Sequence, residues 1–446
     1  MHSHPDSRHP SVATTFGRRA DSPFLSIPLP PFVQRSTNMS EFDRRDFLAM
    51  AAGSAAAFAF VPSALGSRVW THADALRIGV VGAGRQGRAA VGELTKIDGV
   101  TVTGICDTDE RRLASGLRRS SGAKGFSTVD AMLKSNDIDA VVVATPTHTH
   151  KEVALAALAA GKHIYCECPL AHTRADCSAI AQAARGAGAV AAGGFQGRSN
   201  PVYQLARGFF KSDSVRDMVT LRAQNNEKTS WVSPASDPAR YNELNWKLDP
   251  AVSLGLAGEL GAQQFDVFHW YTDRYPVRVI GRGSIRAWED GRKVPDTISL
   301  MLEFDNGAVL QYAATIGNSY EGAAEYFYGT NAAIKLGWSH GWMFKESDAP
   351  TQGWEVYANR QQFHNDEGIT LIAGATKLAE QGKLKDGVGL PHPSLYYALA
   401  DWINAIGSGG TPACSMDEAA RATVVGIAAN EAVMTSKPVD IDLSTL

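Results

Sequence analysis

Three glycines and one acid have the spacing of a dinucleotide site. Gly82, Gly84 and Gly87 occur in the run Gly82-Ala83-Gly84-Arg85-Gln86-Gly87, between the apolar run Ile78–Val81 and a helical stretch. A second apolar run, Val100–Cys106, ends in Asp107. Strand, turn, helix, strand and acid in that order are the setting in which G-x-G-x-x-G carries meaning. Gly82 permits the tight turn, Gly84 lets backbone N–H groups approach a pyrophosphate, and Gly87 lets helix and strand pack closely. The helix that opens at Arg85 and Gln86 adds partial positive charge for the phosphates. Asp107 accepts hydrogen bonds from the adenosine ribose hydroxyls and repels a 2′-phosphate. That favours NAD, and Arg85 beside the turn leaves NADP open.

Other reactive side chains fall where two further strands end. Thr145-Pro146-Thr147-His148-Thr149-His150 follows the apolar strand Ala140–Ala144, and Glu167-Cys168-Pro169 closes the strand His163–Cys168. In an open α/β sheet the carboxyl ends of the strands hold the ligand. Glu167 is there either a nicotinamide-ribose contact or a strand-end surface acid. One of His148 and His150 makes a structural or cofactor contact. Cys168 lines the site by position, and a thiolate there needs a neighbouring cation. Further on, Asp266 and His269 lie on a helix that runs through Phe265 to Tyr271. His269 is either a base or a core histidine, and Asp266 is as suited to orienting a neighbour as to doing chemistry.

The elements that position these groups form two grammars. From 76 to 195, six strands alternate with helices, the pattern of a doubly wound parallel sheet in an α/β fold. From 196 to 446 the chain reads as an α+β domain with a large, mainly antiparallel open sheet. Its strands are Met218–Gln224, Pro276–Ile285, Thr297–Phe304, Ala308–Thr315 and Ala323–Tyr328. A Trp/Asn-rich stretch, Asn225–Pro250, separates the first two, and Trp338, Trp342 and Trp354 fall in a loop-rich segment. Two C-terminal helices, His392–Ile406 and Met416–Ser436, are expected to pack back toward the first domain.

The chain of 446 residues is long enough for two cores. Its net charge of −3 gives no electrostatic case for nucleic acid. The five cysteines have no pairing pattern, and Cys166 and Cys168 on one strand are poor zinc geometry, so no metal is expected. Residues 1–38, rich in Pro, Ser, His and Arg, read as a disordered leader, with Met39 as an alternative start. Residues 39–75 read as a twin-arginine signal and linker. Asp43-Arg44-Arg45-Asp46-Phe47-Leu48 precedes the apolar run Ala49–Ala64, which is too short to span a bilayer comfortably. The expectation is therefore export in the folded state with the cofactor aboard, a periplasmic or extracytoplasmic location, and no stable membrane span after cleavage.

Taken together, the motifs resemble those of the Gfo/Idh/MocA oxidoreductases over residues 76 to 446. They are the glycine turn with Asp107, Ala144-Thr145-Pro146 with His150, Glu167-Cys168-Pro169, Gly194-Phe195-Gln196 with Arg198 and Pro201, and Lys437-Pro438-Val439. The signal looks like that of the exported glucose–fructose oxidoreductase-like branch. The resemblance implies a Rossmann domain, a substrate domain whose open sheet makes a homo-oligomer, a carbohydrate substrate and a tightly bound nicotinamide. It places Thr145, Pro146, His148, His150, Glu167 and Arg198 around the cofactor.

Two departures stand out. The family lysine before this proline is Cys168, and the family Asp-x-Gly-x-His becomes Glu259-Leu260-Gly261-Ala262-Gln263. Gln263 takes no proton at neutral pH. Lys228, in a loop able to cover the site, is a candidate for the missing cation. Trp231, Tyr241, Trp246, Trp338 and Trp342 are candidates to stack on sugar rings. The expected activity is oxidation or reduction of a sugar, polyol or glycoside. The alternatives are an NAD-dependent glycoside hydrolase or lyase working through transient C3 oxidation, and a non-catalytic sugar-binding relative.

Overall fold

The computed structural model describes residues 75–446 except 236, 353, 354, 356, 357, 364, 365, 375–377, 379, 380, 382, 384–387 and 445. The leader, the twin-arginine segment up to residue 74 and Trp354 lie outside the described residues.

The first sheet has six parallel strands: β1 Leu76–Val81, β2 Val100–Cys106, β3 Lys124–Phe126, β4 Ala140–Val143, β5 His163–Glu167 and β6 Ala191–Gly194. Their order is β3-β2-β1-β4-β5-β6. β4 is buried at every position, as a strand covered on both faces must be. The strand order reverses between β1 and β4, so the crevice above that pair is where such a sheet takes its ligand. The six strands are the number the sequence suggests, and β3, Lys-Gly-Phe, is the one with neither length nor apolar alternation.

The second sheet is larger than the sequence suggests. To β7 Met218–Asn226, β8 Pro276–Ser284, β9 Thr297–Phe304, β10 Val309–Thr315 and β11 Ala323–Gly329 it adds β12 Ala332–Leu336, β13 Gly341–Lys345, β14 Arg360–Phe363, β15 Asp366–Thr370 and β16 Val439–Asp440. The ten strands run β14-β15-β13-β12-β11-β7-β10-β9-β8-β16. All pairs are antiparallel except β7 with β10, which pair in parallel from Leu221 opposite Leu310. Trp342 lies on β13, not in a loop. Along these strands alternate residues such as Leu221, Leu300, Leu302, Tyr312 and Phe327 face inward and are buried. Arg222, Ile280 and Met301 face the other way and are exposed.

Two helices tie the layers together. Met416–Thr435 starts with a complete capping box, Ser415 with Glu418. Its first half packs Ala419, Ala420 and Val424 into the Rossmann core. Its second half packs Val425, Ala429 and Val433 against the second sheet. Ser394–Ser408 lays Leu399 and Trp402 on the first sheet, with the Trp402 ring 5.8 Å from Tyr165. Among the described residues no helix is long and apolar enough to cross a membrane.

Candidate active site

The glycine turn has the shape a dinucleotide needs. Gly82 has φ +93°, and a Cβ there would lie 2.5 Å from the Ala144 carbonyl oxygen. A Cβ on Gly87 would lie 1.7 Å from the Gly82 oxygen, so helix and turn meet only through glycine. Gly84 is different. Its Cβ would find nothing closer than Arg112 Nη1 at 4.0 Å. The turn is therefore open above Gly84, where the helix Arg85–Leu94 begins without a side-chain cap. Uncapped N–H groups facing open space suit a pyrophosphate. Asp107 stands at the end of β2, its Oδ2 accepting from Ala83 N at 2.7 Å and its Oδ1 from Asp109 N at 2.8 Å. Its carboxylate is thus fixed beside the turn with lone pairs left for ribose hydroxyls. These residues fit NAD.

The next wall is built from the ends of β4 and β5. His150 is buried, its ring nitrogens 2.9 Å from Thr145 O and 3.0 Å from Pro169 O. It pins the loop after β4 to the loop after β5 instead of reaching for a cofactor. Thr149 Oγ1 donates to Pro146 O at 2.8 Å and holds the Thr145–Pro146 turn. Glu167 is buried and accepts from Gln86 Nε2 at 2.9 Å. It is no surface acid, and burial raises its carboxyl to about 7 against the pull of Gln86. Burial also pushes the Cys168 thiol well above its usual range, which keeps it protonated.

Glu259 closes this wall from the other domain. It sits at the joint between the helices Gly255–Glu259 and Gly261–Thr272, and is partly exposed. Its Oε2 accepts from Thr147 Oγ1 at 3.1 Å and its Oε1 from Leu254 N at 3.4 Å. Burial raises its carboxyl, and the charge of Lys247 pulls it partly back.

Lys247 comes from a strap, residues 227–235 and 237–250, that reaches from the second sheet to the ends of β2 and β4. Asn245 is buried and closes the strap on itself, accepting from Ser233 N at 2.6 Å and donating to Ser233 O at 2.9 Å. Trp231 stands at φ +62°, a left-handed conformation uncommon for a bulky residue. At one end, the strap's Arg240 pairs with Asp109. At the other, the Trp246 ring meets His148 edge-on at 5.7 Å. His148 Nδ1 is buried without a hydrogen-bond partner, and burial lowers the pKa of its imidazole.

Several residues singled out in the sequence are committed to other contacts. Gln263 uses both ends of its amide on backbone, donating to Gly194 O at 2.7 Å and accepting from Gln196 N at 3.1 Å. Arg198, expected at the cofactor, is buried and holds Asp266 through two bonds of 2.8 Å, with Glu418 on its remaining nitrogen. Asp266 is thereby committed to a structural pair. His269 stacks on Tyr275 at 3.6 Å and burial lowers its pKa, the setting of a core histidine. Lys228 is exposed, bonded to Gly317 O at 2.7 Å and set over the Trp288 ring. Trp338 packs on buried Tyr203 at 5.3 Å, and Trp342 lies on the outer face of β13. Lys247 was missed because its contacts are all to residues distant in sequence or to neighbouring rings. Among the described residues no three His, Cys, Asp or Glu side chains form a metal-holding group.

Comparison with known proteins gives two family matches. Residues 76–195 match "Oxidoreductase family, NAD-binding Rossmann fold" and residues 228–441 match "Oxidoreductase family, C-terminal alpha/beta domain". The chain is 24% identical over 369 residues to a myo-inositol 2-dehydrogenase of Thermotoga maritima, covering 82% of this chain and 99% of that one. It is 34% identical to a glycosyl hydrolase family 109 protein of Shewanella sp. strain ANA-3, over 30% of this chain and 35% of that one. A structure of levoglucosan dehydrogenase in complex with NADH and levoglucosan superposes with a TM-score of 0.66 at 22% identity, over 82% of this chain and 99% of that one.

Proposed function

Because this chain belongs to the Gfo/Idh/MocA oxidoreductase family and carries its NAD-binding domain, we propose that it oxidises a secondary hydroxyl of a sugar or polyol, with Glu259 as the proton acceptor. The observation that carries this reading is the place of Glu259. It is a carboxyl raised above its ordinary value, partly exposed, and set against the loop after β4 where the strand order reverses. A base works best when its pKa lies near the working pH. Gln263 cannot take that part, since it has no basic site and its amide is committed to backbone. Bound nicotinamide supplies the acceptor for the hydride that leaves the carbinol carbon. Glu259 takes the hydroxyl proton, leaving a ketone. Thr147 orients the carboxylate, and Trp246 with Trp231 shields the crevice and offers faces for a pyranose or cyclitol ring. The named myo-inositol dehydrogenase relative supports a cyclic polyol or sugar substrate.

The test is to load the purified protein with NAD and follow reduced nicotinamide against inositols, anhydrosugars, aldoses and aryl glycosides. Reduced cofactor with at least one free carbohydrate supports the reading. A second reading, glycoside cleavage through transient oxidation at C3, is favoured by the partial likeness to the glycosyl hydrolase family 109 protein. It predicts aglycone release with no net reduced cofactor.

The same proposal includes export by the twin-arginine route through Arg44 and Arg45, with the cofactor already bound, and kinship to the glucose–fructose oxidoreductase-like branch. Replacing both arginines by lysine is expected to leave the protein in the cytoplasm. The uncovered face of the second sheet, with Met301 49% and Ile280 41% exposed, is proposed as a homo-oligomer contact. Charge placed at Met301 should then lower the mass measured by light scattering.

A further inference from the structure

We propose that Lys247 supplies the cation that position 168 lacks, donating from its ammonium to hydroxyl oxygens of a carbohydrate whose ring lies beside Trp231 and Trp246. The proposal rests on the carbohydrate-oxidising function proposed above and names the residue that positions the substrate in that site.

Three observations meet at this residue. The first is its cage. Lys247 Nζ lies 4.7 Å from the centre of the Trp231 ring and 5.6 Å from that of Trp246. Both faces attract a cation and leave its N–H groups unsatisfied by strong acceptors. Trp231 stands in an unfavourable left-handed conformation at φ +62°. Backbone strain of that kind persists only where surroundings impose it, and it gathers at functional sites. The second is its field. The charge of Lys247 reaches Glu259, whose carboxyl it lowers against the effect of burial. A cation whose charge reaches the base belongs to the same site as that base. The third is the wall opposite. Trp246, whose ring Lys247 contacts, meets His148 at 5.7 Å, and Thr147 beside His148 bonds Glu259, so the cage abuts the end of β4.

The other lysine of the strap cannot do this. Lys228 is exposed and bonded to Gly317 O. Cys168 is a neutral thiol, held so by burial. The cation at the site therefore comes from the strap and not from the end of β5. An ammonium near the reacting hydroxyl favours the alkoxide character that develops as the proton leaves for Glu259. The aromatic faces on either side select a flat, C–H-rich ring over an extended chain.

The test compares wild type, Lys247→Met and Lys247→Arg, all loaded with NAD, by calorimetric titration with the carbohydrate panel and by turnover. Lys247→Met is expected to weaken carbohydrate binding and raise KM by about tenfold to a hundredfold, the size of a lost charged hydrogen bond. Retained NAD and thermal midpoint should match wild type. Without the lysine charge the Glu259 carboxyl titrates higher, so the acid limb of kcat/KM should move to higher pH. Lys247→Arg should restore that limb and most of the affinity. Wild-type affinity, KM and pH profile in Lys247→Met would overturn the assignment while leaving the proposed oxidation intact. Loss of NAD together with carbohydrate in that variant would assign Lys247 to the packing of the strap and overturn it as well. A wild-type protein that neither binds nor turns over any carbohydrate would contradict the function itself, and the role of Lys247 with it.

Discussion

Arg240 of the strap pairs with Asp109, two residues beyond the acid that ends β2. The pair joins the two domains beside Asp107, while Trp246 meets His148 at the end of β4. The pair is therefore expected to slow the release of NAD bound beside Asp107. Arg240→Ala is expected to speed NAD release about tenfold, the value of a partly buried charged hydrogen bond. Release can be timed by dilution into excess competing nucleotide, with the circular dichroism spectrum unchanged.

The glycine turn separates folding from binding. Gly84→Ala places its methyl 4.0 Å from the nearest side-chain atom, so the protein should fold as wild type yet lose NAD affinity by at least about tenfold, since a methyl would occupy the phosphate approach. Gly87→Ala would put a methyl 1.7 Å from the Gly82 oxygen and should cost more than about 2 kcal/mol in chemical denaturation.

Much of this was legible beforehand, and the reason is physical. A dinucleotide turn allows few residue types at Gly82, Gly84 and Gly87, so local spacing announces it. The all-apolar β4 likewise announces a covered parallel sheet. Gln263, Arg198 and Asp266 were legible as positions but not as roles. A motif places a side chain on a helix, and its partner is chosen by what packs opposite: Gly194 for Gln263, and Asp266 with Glu418 for Arg198. β12 and β13 were missed because each is only 5 residues long, too short for its alternation to stand out. Lys247 was missed because nothing within its own segment reveals that Glu259 stands across the crevice.

The Arg198–Asp266 pair makes a stability prediction. The side chains are 3% and 1% exposed, so removing one leaves the other charged and buried. Arg198→Met should destabilise by about 3–5 kcal/mol in urea. Arg198→Met with Asp266→Leu should recover most of that loss, because the buried Asp266 charge is gone and Glu418, 34% exposed, keeps its bonds to Ser415.

Two buried carboxyls set a pH dependence. Burial raises both Glu167 and Glu325 to about 7 from 4.5. Below 4.5 both states hold the proton and the folded form has its full advantage. As pH rises toward 7 the unfolded chain has released protons that the folded form still holds, so stability falls through that window. Each group costs at most about 3 kcal/mol above it. The thermal midpoint should therefore drop between mildly acidic and mildly alkaline buffer. Glu325→Gln should flatten that slope while Tyr203 and Gln264 keep a partner at the position.

The most direct test of the account is the pH–rate profile of wild type and Glu259→Gln with the best carbohydrate of the panel. Both proteins are loaded with NAD, and bound cofactor is counted before the assay. The expected result is a fall in kcat of about 10²–10⁴-fold in Glu259→Gln, with NAD still bound and the acid limb of the profile gone. A variant that keeps the wild-type rate and the wild-type acid limb would contradict Glu259 as the base.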